Sequence, residues 1–98
     1  MTEEYNAGKL SYEAIRTFGR VPQCIVAMEE LAELIQEISK AIRKRPHNIT
    51  EEFVDVEIIM EQIKLLYVDE KQYDILKQYK LRRLSKTIQE YKRVHRIQ

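Results

Sequence analysis

The sequence predicts an all-α fold: an antiparallel helical bundle, completed by homo-oligomerisation. Three observations lead there. Gly and Pro total only four among 98 residues, so turns are scarce and a many-stranded fold has no room to reverse direction. No stretch alternates apolar and polar residues long enough to make a strand. Apolar residues instead recur at helical spacing between three breaks, at Gly19–Pro22, Pro46–Asn48 and, weakly, Val68–Glu70.

Each element follows from its neighbours. Residues 11–18 form a short first helix, with Ser11 as N-cap and Gly19 placed to end it. Pro22 suits the first turn of the next helix, which spans 22–45. Its last turn, Arg43-Lys44-Arg45, complements the negative end of the helix dipole, and Pro46 stops it. Asn48 or Thr50 can cap the third helix, 50–67, with Glu51 and Glu52 in its first turn. The last helix covers 70–94. Residues 1–98 therefore read as one helical domain. Short loops place neighbouring helices antiparallel. So small a core gains from pairing with a second chain, so a dimer or tetramer is expected.

Composition narrows the function. The net charge of +1 does not mark a nucleic-acid binder. No apolar run approaches the roughly 20 residues that span a bilayer. The first residues, Met1-Thr2-Glu3-Glu4, are acidic and do not resemble a secretory signal. The single Cys24 can form neither an internal disulfide nor a zinc site alone, which favours a cytoplasmic location, host cytoplasm for a viral protein. The charge is also unevenly spread. Residues 1–63 hold 7 Lys/Arg and 12 Asp/Glu, whereas residues 64–98 hold 10 and 4. An acidic part and a basic part together can hold a cation beside an anion.

The helical wheels place charges where apolar residues belong. With Asp55 at 0°, Leu66 falls at about 20°, Ile59 at about 40°, Glu52 at about 60° and Ile63 at about 80°. Two carboxylates thus lie inside the apolar stripe of the third helix. An ionised carboxylate there is costly unless it is paired or metal-bound. Pairing with Arg or Lys across the bundle, or a wet helix end, would explain it without any metal. On the second helix Glu29, Glu30, Glu33 and Glu37 share one arc, opposite Ile25, Met28, Ala32, Ile35, Ile38 and Ile42. A solvated acidic face is the simple account of that arc. Beside Glu52 and Asp55 on an antiparallel neighbour, the same acids can converge on a divalent cation. Oxygen ligands without His or Cys suit Mg2+, with Mn2+ as the alternative. On the last helix Lys77 and Lys80 occupy positions where a bundle wants apolar residues, flanked by Arg83. They either snorkel to the bundle edge or face the acids and bind phosphates. His47 and His95 have no metal-ligand spacing, and Cys24 reads as a small core residue. Tyr67 reads as core, with stacking on a base as the alternative.

Glu29-Glu30-Leu31-Ala32-Glu33, eighteen further residues, then Glu52-Phe53-Val54-Asp55 make an EExxE…ExxD pattern. It resembles the MazG-like, all-α nucleoside triphosphate pyrophosphohydrolases, in particular their small phage-type members. Gly19 and Gln23 precede the motif in similar fashion, and Lys80-Leu81-Arg82-Arg83-Leu84 looks like the family's KxxRL stretch. The resemblance spans about residues 12–88. It implies Mg2+-dependent hydrolysis of a nucleoside triphosphate to its monophosphate and pyrophosphate. By position, it implies Glu30, Glu33, Glu52 and Asp55 as metal ligands, and Glu29 as an accessory catalytic acid beside Glu30. Lys80, Arg83 and Lys77 would hold phosphate oxygens, and Gln23 would contact the nucleotide. The competing expectation is a non-catalytic helical interaction module, which has no need of acids inside an apolar stripe.

Overall fold

The computed structural model describes residues 4–96, and every regular element among them is helical. In chain order these are α1 (Ala7–Phe18), α2 (Arg20–Ile42), α3 (Ile49–Tyr67) and α4 (Glu70–His95). The chain divides into two compact units, Met1–Tyr67 and Val68–Gln98. No helix among the described residues is long and apolar enough to cross a membrane.

Capping explains the boundaries. α1 starts four residues earlier than the sequence reading placed it, because Asn6 and not Ser11 is the N-cap. The Asn6 Oδ1 accepts from the Lys9 N–H at 2.8 Å. Ser11 is instead buried on the packed side of α1. Gly19 separates α1 from α2 at φ +97°, where its N–H donates to the Ile15 carbonyl. A side chain at that φ is strained whatever the surrounding space. Pro22, third residue of α2, lies in the first turn, where its missing N–H costs nothing.

α2 ends at Ile42, three residues before the expected Arg45. The Arg45 N–H donates to the Lys40 carbonyl and the Lys44 N–H to that of Ala41, with Lys44 left-handed at φ +57°. This is a Schellman closure, completed before Pro46 can interrupt the helix. Lys44 takes the position that glycine fills more easily, so Lys44→Gly is expected to raise stability by about 1 kcal/mol in a denaturant titration. α3 begins at Ile49, where the Asn48 side chain donates to Glu51 and the Ile49 N–H reaches His47 Nδ1. Asp69 caps α4 by accepting from the Gln72 N–H.

In the first unit, α2 and α3 share the most extensive contact, and α1 packs mainly on α3. Cross-contacts run in descending order. Arg20 meets Tyr67, Gln23 meets Gln62, and Glu37 meets Asn48. The two helices therefore run in opposite directions. The inward side of α2 is the line Gln23, Ala27, Glu30, Leu34, Glu37 and Ala41, all buried or half-buried. Its spacing of 4-3-4-3-4 is a helical seam. Polar residues hold half of this seam. The most apolar side of α2 points out: Ile35 is 67% exposed and Ile42 77%.

Two of these polar contacts involve buried side chains of α2. The Gln23 Nε2 donates to Gln62 Oε1 at 2.7 Å, with both residues buried. Removing one partner strands the other, so Gln62→Leu is expected to cost about 1–3 kcal/mol, while a double change of both glutamines to leucine recovers most of that loss. A double-mutant cycle in urea checks this. At the other end Glu37 accepts from the Asn48 N–H at 2.7 Å and pairs with Lys40 at 2.8 Å. These partners hold its carboxyl below the usual range, Lys40 first and the Asn48 amide second.

The second unit is essentially α4. Tyr73 is half-buried and the remaining described residues of the helix are exposed. Arg93 binds Glu90 through two hydrogen bonds, the shorter 2.6 Å. The Tyr91 and His95 rings stack 3.9 Å apart.

Candidate metal centre

Midway along the α2–α3 seam the apolar packing gives way to acids. Glu30 and Glu33 project from successive turns of α2. Glu52 projects from the first turn of α3, where an acidic residue also complements the positive end of the helix dipole. One carboxylate oxygen from each of Glu30, Glu33 and Glu52 lies within 4.8 Å of the others. Glu30 and Glu52 are half-buried and Glu33 is exposed. The cluster is thus open to solvent on the Glu33 side and closed beneath.

Its electrostatics are unfavourable. The Oε2 atoms of Glu30 and Glu52 are buried and meet no hydrogen-bond donor. Neither these two residues nor Glu33 or Asp55 has an ion-pair partner among the described residues. Glu52 is pushed up to about 7. Burial is the largest cause, followed by close contact with the Glu33 carboxyl and then by the charges of Glu33, Glu30 and Asp55. Glu30 is also raised, first by burial and then by the charges of Glu33 and Asp55. Asp55, one turn along α3, is half-buried. It adds negative charge at the edge of the cluster, outside the three oxygens that converge.

The donor set fits a hard divalent cation. Ligands held at about 2.0–2.6 Å from one ion lie no more than about 4–5 Å from one another, and these oxygens all fall within 4.8 Å of each other. A cation there would reverse the repulsion among the three carboxylates. Each carboxylate keeps a second oxygen for a further contact.

The other residues singled out from the sequence stand as follows. Glu29 is exposed and is the smallest of the charges raising Glu30. Gln23 lies near the start of α2 with its amide given to Gln62. That bond makes it a fastening between helices. Lys77, Lys80 and Arg83 lie exposed on α4, in the second unit. The Lys77 ammonium reaches the Tyr73 hydroxyl at 3.4 Å and lies 5.4 Å from that ring's centre. Tyr67 is exposed, not core. Its hydroxyl accepts from Arg20 at 3.1 Å and lies 3.7 Å from the half-buried Cys24 sulfur.

A hollow that the sequence reading missed opens between α1 and α3. Tyr5, Leu10 and Ala14 line one side, Ile58 and Gln62 the other. Ile58 follows Asp55 by three residues, so the hollow begins one helical turn beyond the acids. The overlooked signal was Asn6: an N-cap there lengthens α1 enough to build this wall. No family model, curated protein or solved structure matches the chain.

Proposed function

We propose that the protein is a Mg2+-dependent nucleoside triphosphate pyrophosphohydrolase, with Mn2+ as the alternative ion, hydrolysing a (deoxy)nucleoside triphosphate to its monophosphate and pyrophosphate. One observation carries the reading: carboxylates from two helices converge, with two buried oxygens unpartnered. A cluster kept for stability would be paired, and a solvated acidic face would not point into a helix seam. In this proposal the helices form an antiparallel bundle completed by a second copy of the chain, working in the cytoplasm.

Glu30, Glu33 and Glu52 would hold the cation, with Asp55 completing the set from the next turn. The ion supplies charge neutralisation of the triphosphate and a template for attack. Glu29, outside the converging oxygens and open to water, takes the proton from the attacking water. The water oxygen bonds to the α-phosphorus, the α–β anhydride bond breaks, and the electron pair leaves on pyrophosphate. The roles of Lys77, Lys80 and Arg83 in holding phosphate oxygens rest on the family resemblance alone. The nucleotide end finds apolar surface in the hollow lined by Tyr5 and Ile58.

The test is incubation with a panel of ribo- and deoxyribonucleoside triphosphates in Mg2+, reading products by ion-exchange chromatography. Monophosphate and pyrophosphate are expected, with turnover abolished by EDTA. Release of orthophosphate, or no turnover of any nucleotide, would contradict the proposal. Lys80→Ala is expected to raise KM about tenfold, about 1.4 kcal/mol of binding, with kcat changed far less.

A further inference from the structure

The hollow between α1 and α3 has an apolar rim and a polar floor. Tyr5, Leu10 and Ile58 stand exposed around it, Tyr5 at 76%. Ser11 and Gln62 also line it, and they are only 3% and 5% exposed. Its volume is about 420 Å³, room for a planar heterocycle. Both floor residues hold unused hydrogen-bonding capacity. Gln62 Oε1 accepts from Gln23 Nε2, which leaves Gln62 Nε2 with two protons and no acceptor among the described residues. The Ser11 hydroxyl likewise has no partner among them. Buried polar groups are ordinarily paired, so this floor calls for a ligand edge that pairs with an amide N–H and a hydroxyl together.

The hollow is also placed to serve the acids. Asp55, Ile58 and Gln62 follow a 3-4 spacing and share one side of α3. Gln62 lies about 10 Å along the helix axis from Asp55, within the span of a nucleoside from its 5′-phosphate to the far edge of its base. We propose that the hollow binds the nucleobase and selects one with a lactam edge, a ring N–H beside a carbonyl, as in uracil, thymine, guanine and hypoxanthine. The Gln62 Nε2 donates to the carbonyl, and the ring N–H donates to the Ser11 Oγ. Cytosine and adenine reverse both positions: an amino group meets the Gln62 amide, donor against donor, beside a ring nitrogen that accepts. Ser11 can turn its proton toward that nitrogen. Gln62 cannot turn its oxygen inward, because Gln23 holds it. Gln62 therefore carries most of the discrimination. Tyr5 and Ile58 cover the faces of the ring, a contact that every base can make. This inference rests on the hydrolase reading for the placement of the phosphates, and adds which bases the site accepts.

Affinities of the α,β-methylene analogues of UTP, CTP, ITP and ATP, measured by calorimetry on the full chain in Mg2+, test it. The methylene bridge blocks cleavage, and the members of each pair, UTP with CTP and ITP with ATP, differ only at the edge in question. The UTP analogue is expected to bind at least about 100-fold more tightly than the CTP analogue, and the ITP analogue than the ATP analogue. Ser11→Ala should weaken the UTP analogue about tenfold, and Gln62→Met should bring the ratio within each pair close to one. A packing role for either residue would weaken all four analogues alike. Should Gln62→Met unfold, the wild-type ratios and Ser11→Ala decide. Equal affinities within each pair, binding of none of the four, or a preference for the amino bases, as would follow if the two amides paired the other way round, would overturn the proposal. Equal affinities beside normal turnover would leave the hydrolase reading standing. A lactam preference in a protein that turns over no triphosphate would remove that reading and keep the base site.

Discussion

Glu52→Gln is expected to lower kcat/KM at least about 10³-fold, the scale that attends loss of a charge-stabilising group at a phosphoryl centre. The metal-free fold should nevertheless be as stable as the parent or more so. Glu52 sits against Glu33 with Glu30 and Asp55 nearby, and its charge is disfavoured by every one of them. An amide of the same shape removes that repulsion and can donate to a neighbouring carboxylate. Stability and activity therefore move in opposite directions, which loss of a merely structural residue cannot produce. Glu33→Gln and Asp55→Asn should follow the same pattern. Initial rates in Mg2+ and a thermal melt in EDTA, on the same preparation, read both quantities.

The second large effect is an inversion of pH dependence by divalent cations. Glu52 has a folded value of about 7 against an ordinary 4.5, and Glu30 is raised as well. A carboxyl raised by folding binds its proton more tightly in the folded state. Its contribution is fully present below the ordinary value near 4.5 and is lost as pH rises through about 7. The metal-free protein should thus melt higher at pH 5.5 than at pH 8. Glu37, held low by Lys40 and the Asn48 amide, stays ionised throughout this window and contributes loss only at more acid pH. Mg2+ competes with the protons and favours the ionised acids. At about a hundred times its Kd it adds about 2.7 kcal/mol, and each kcal/mol is worth about 4–8 °C in a domain of this size. With Mg2+ present, pH 8 should become the more stable condition. Equal melting behaviour with and without Mg2+ at both pH values would contradict this.

Much of the fold was legible because its breaks are chemically sharp. Gly19 and Pro46 sit where one helix gives way to the next; the break at Val68–Glu70 was only weakly marked, and the structure supplies the Asp69 cap there. The errors arose where a local motif overrode composition. Asn6 caps α1 and starts it earlier than Ser11 would. Lys44 accepted a left-handed conformation and closed α2 before Pro46. Helical spacing placed Glu30, Glu33 and Glu52 on facing sides without any knowledge of loop geometry, because a short connection between α2 and α3 leaves little freedom in register. The side of α2 that packs on α3 was harder to read. The isoleucine-rich face is the stronger hydrophobic signal, yet it points outward, and a line containing Gln23, Glu30 and Glu37 points in. A single chain's periodicity cannot distinguish a face that covers a neighbour from one available for a second copy.

The central claim is that Glu30, Glu33 and Glu52 form one site for one kind of ion. A crystal grown with Mn2+, with anomalous differences collected at the manganese edge, addresses it most directly. The expected result is a peak between the three carboxylates, lost in Glu52→Gln crystals grown under the same conditions. A map with no peak there, and with the Glu30 and Glu52 oxygens instead paired to lysine or arginine side chains, would contradict the account.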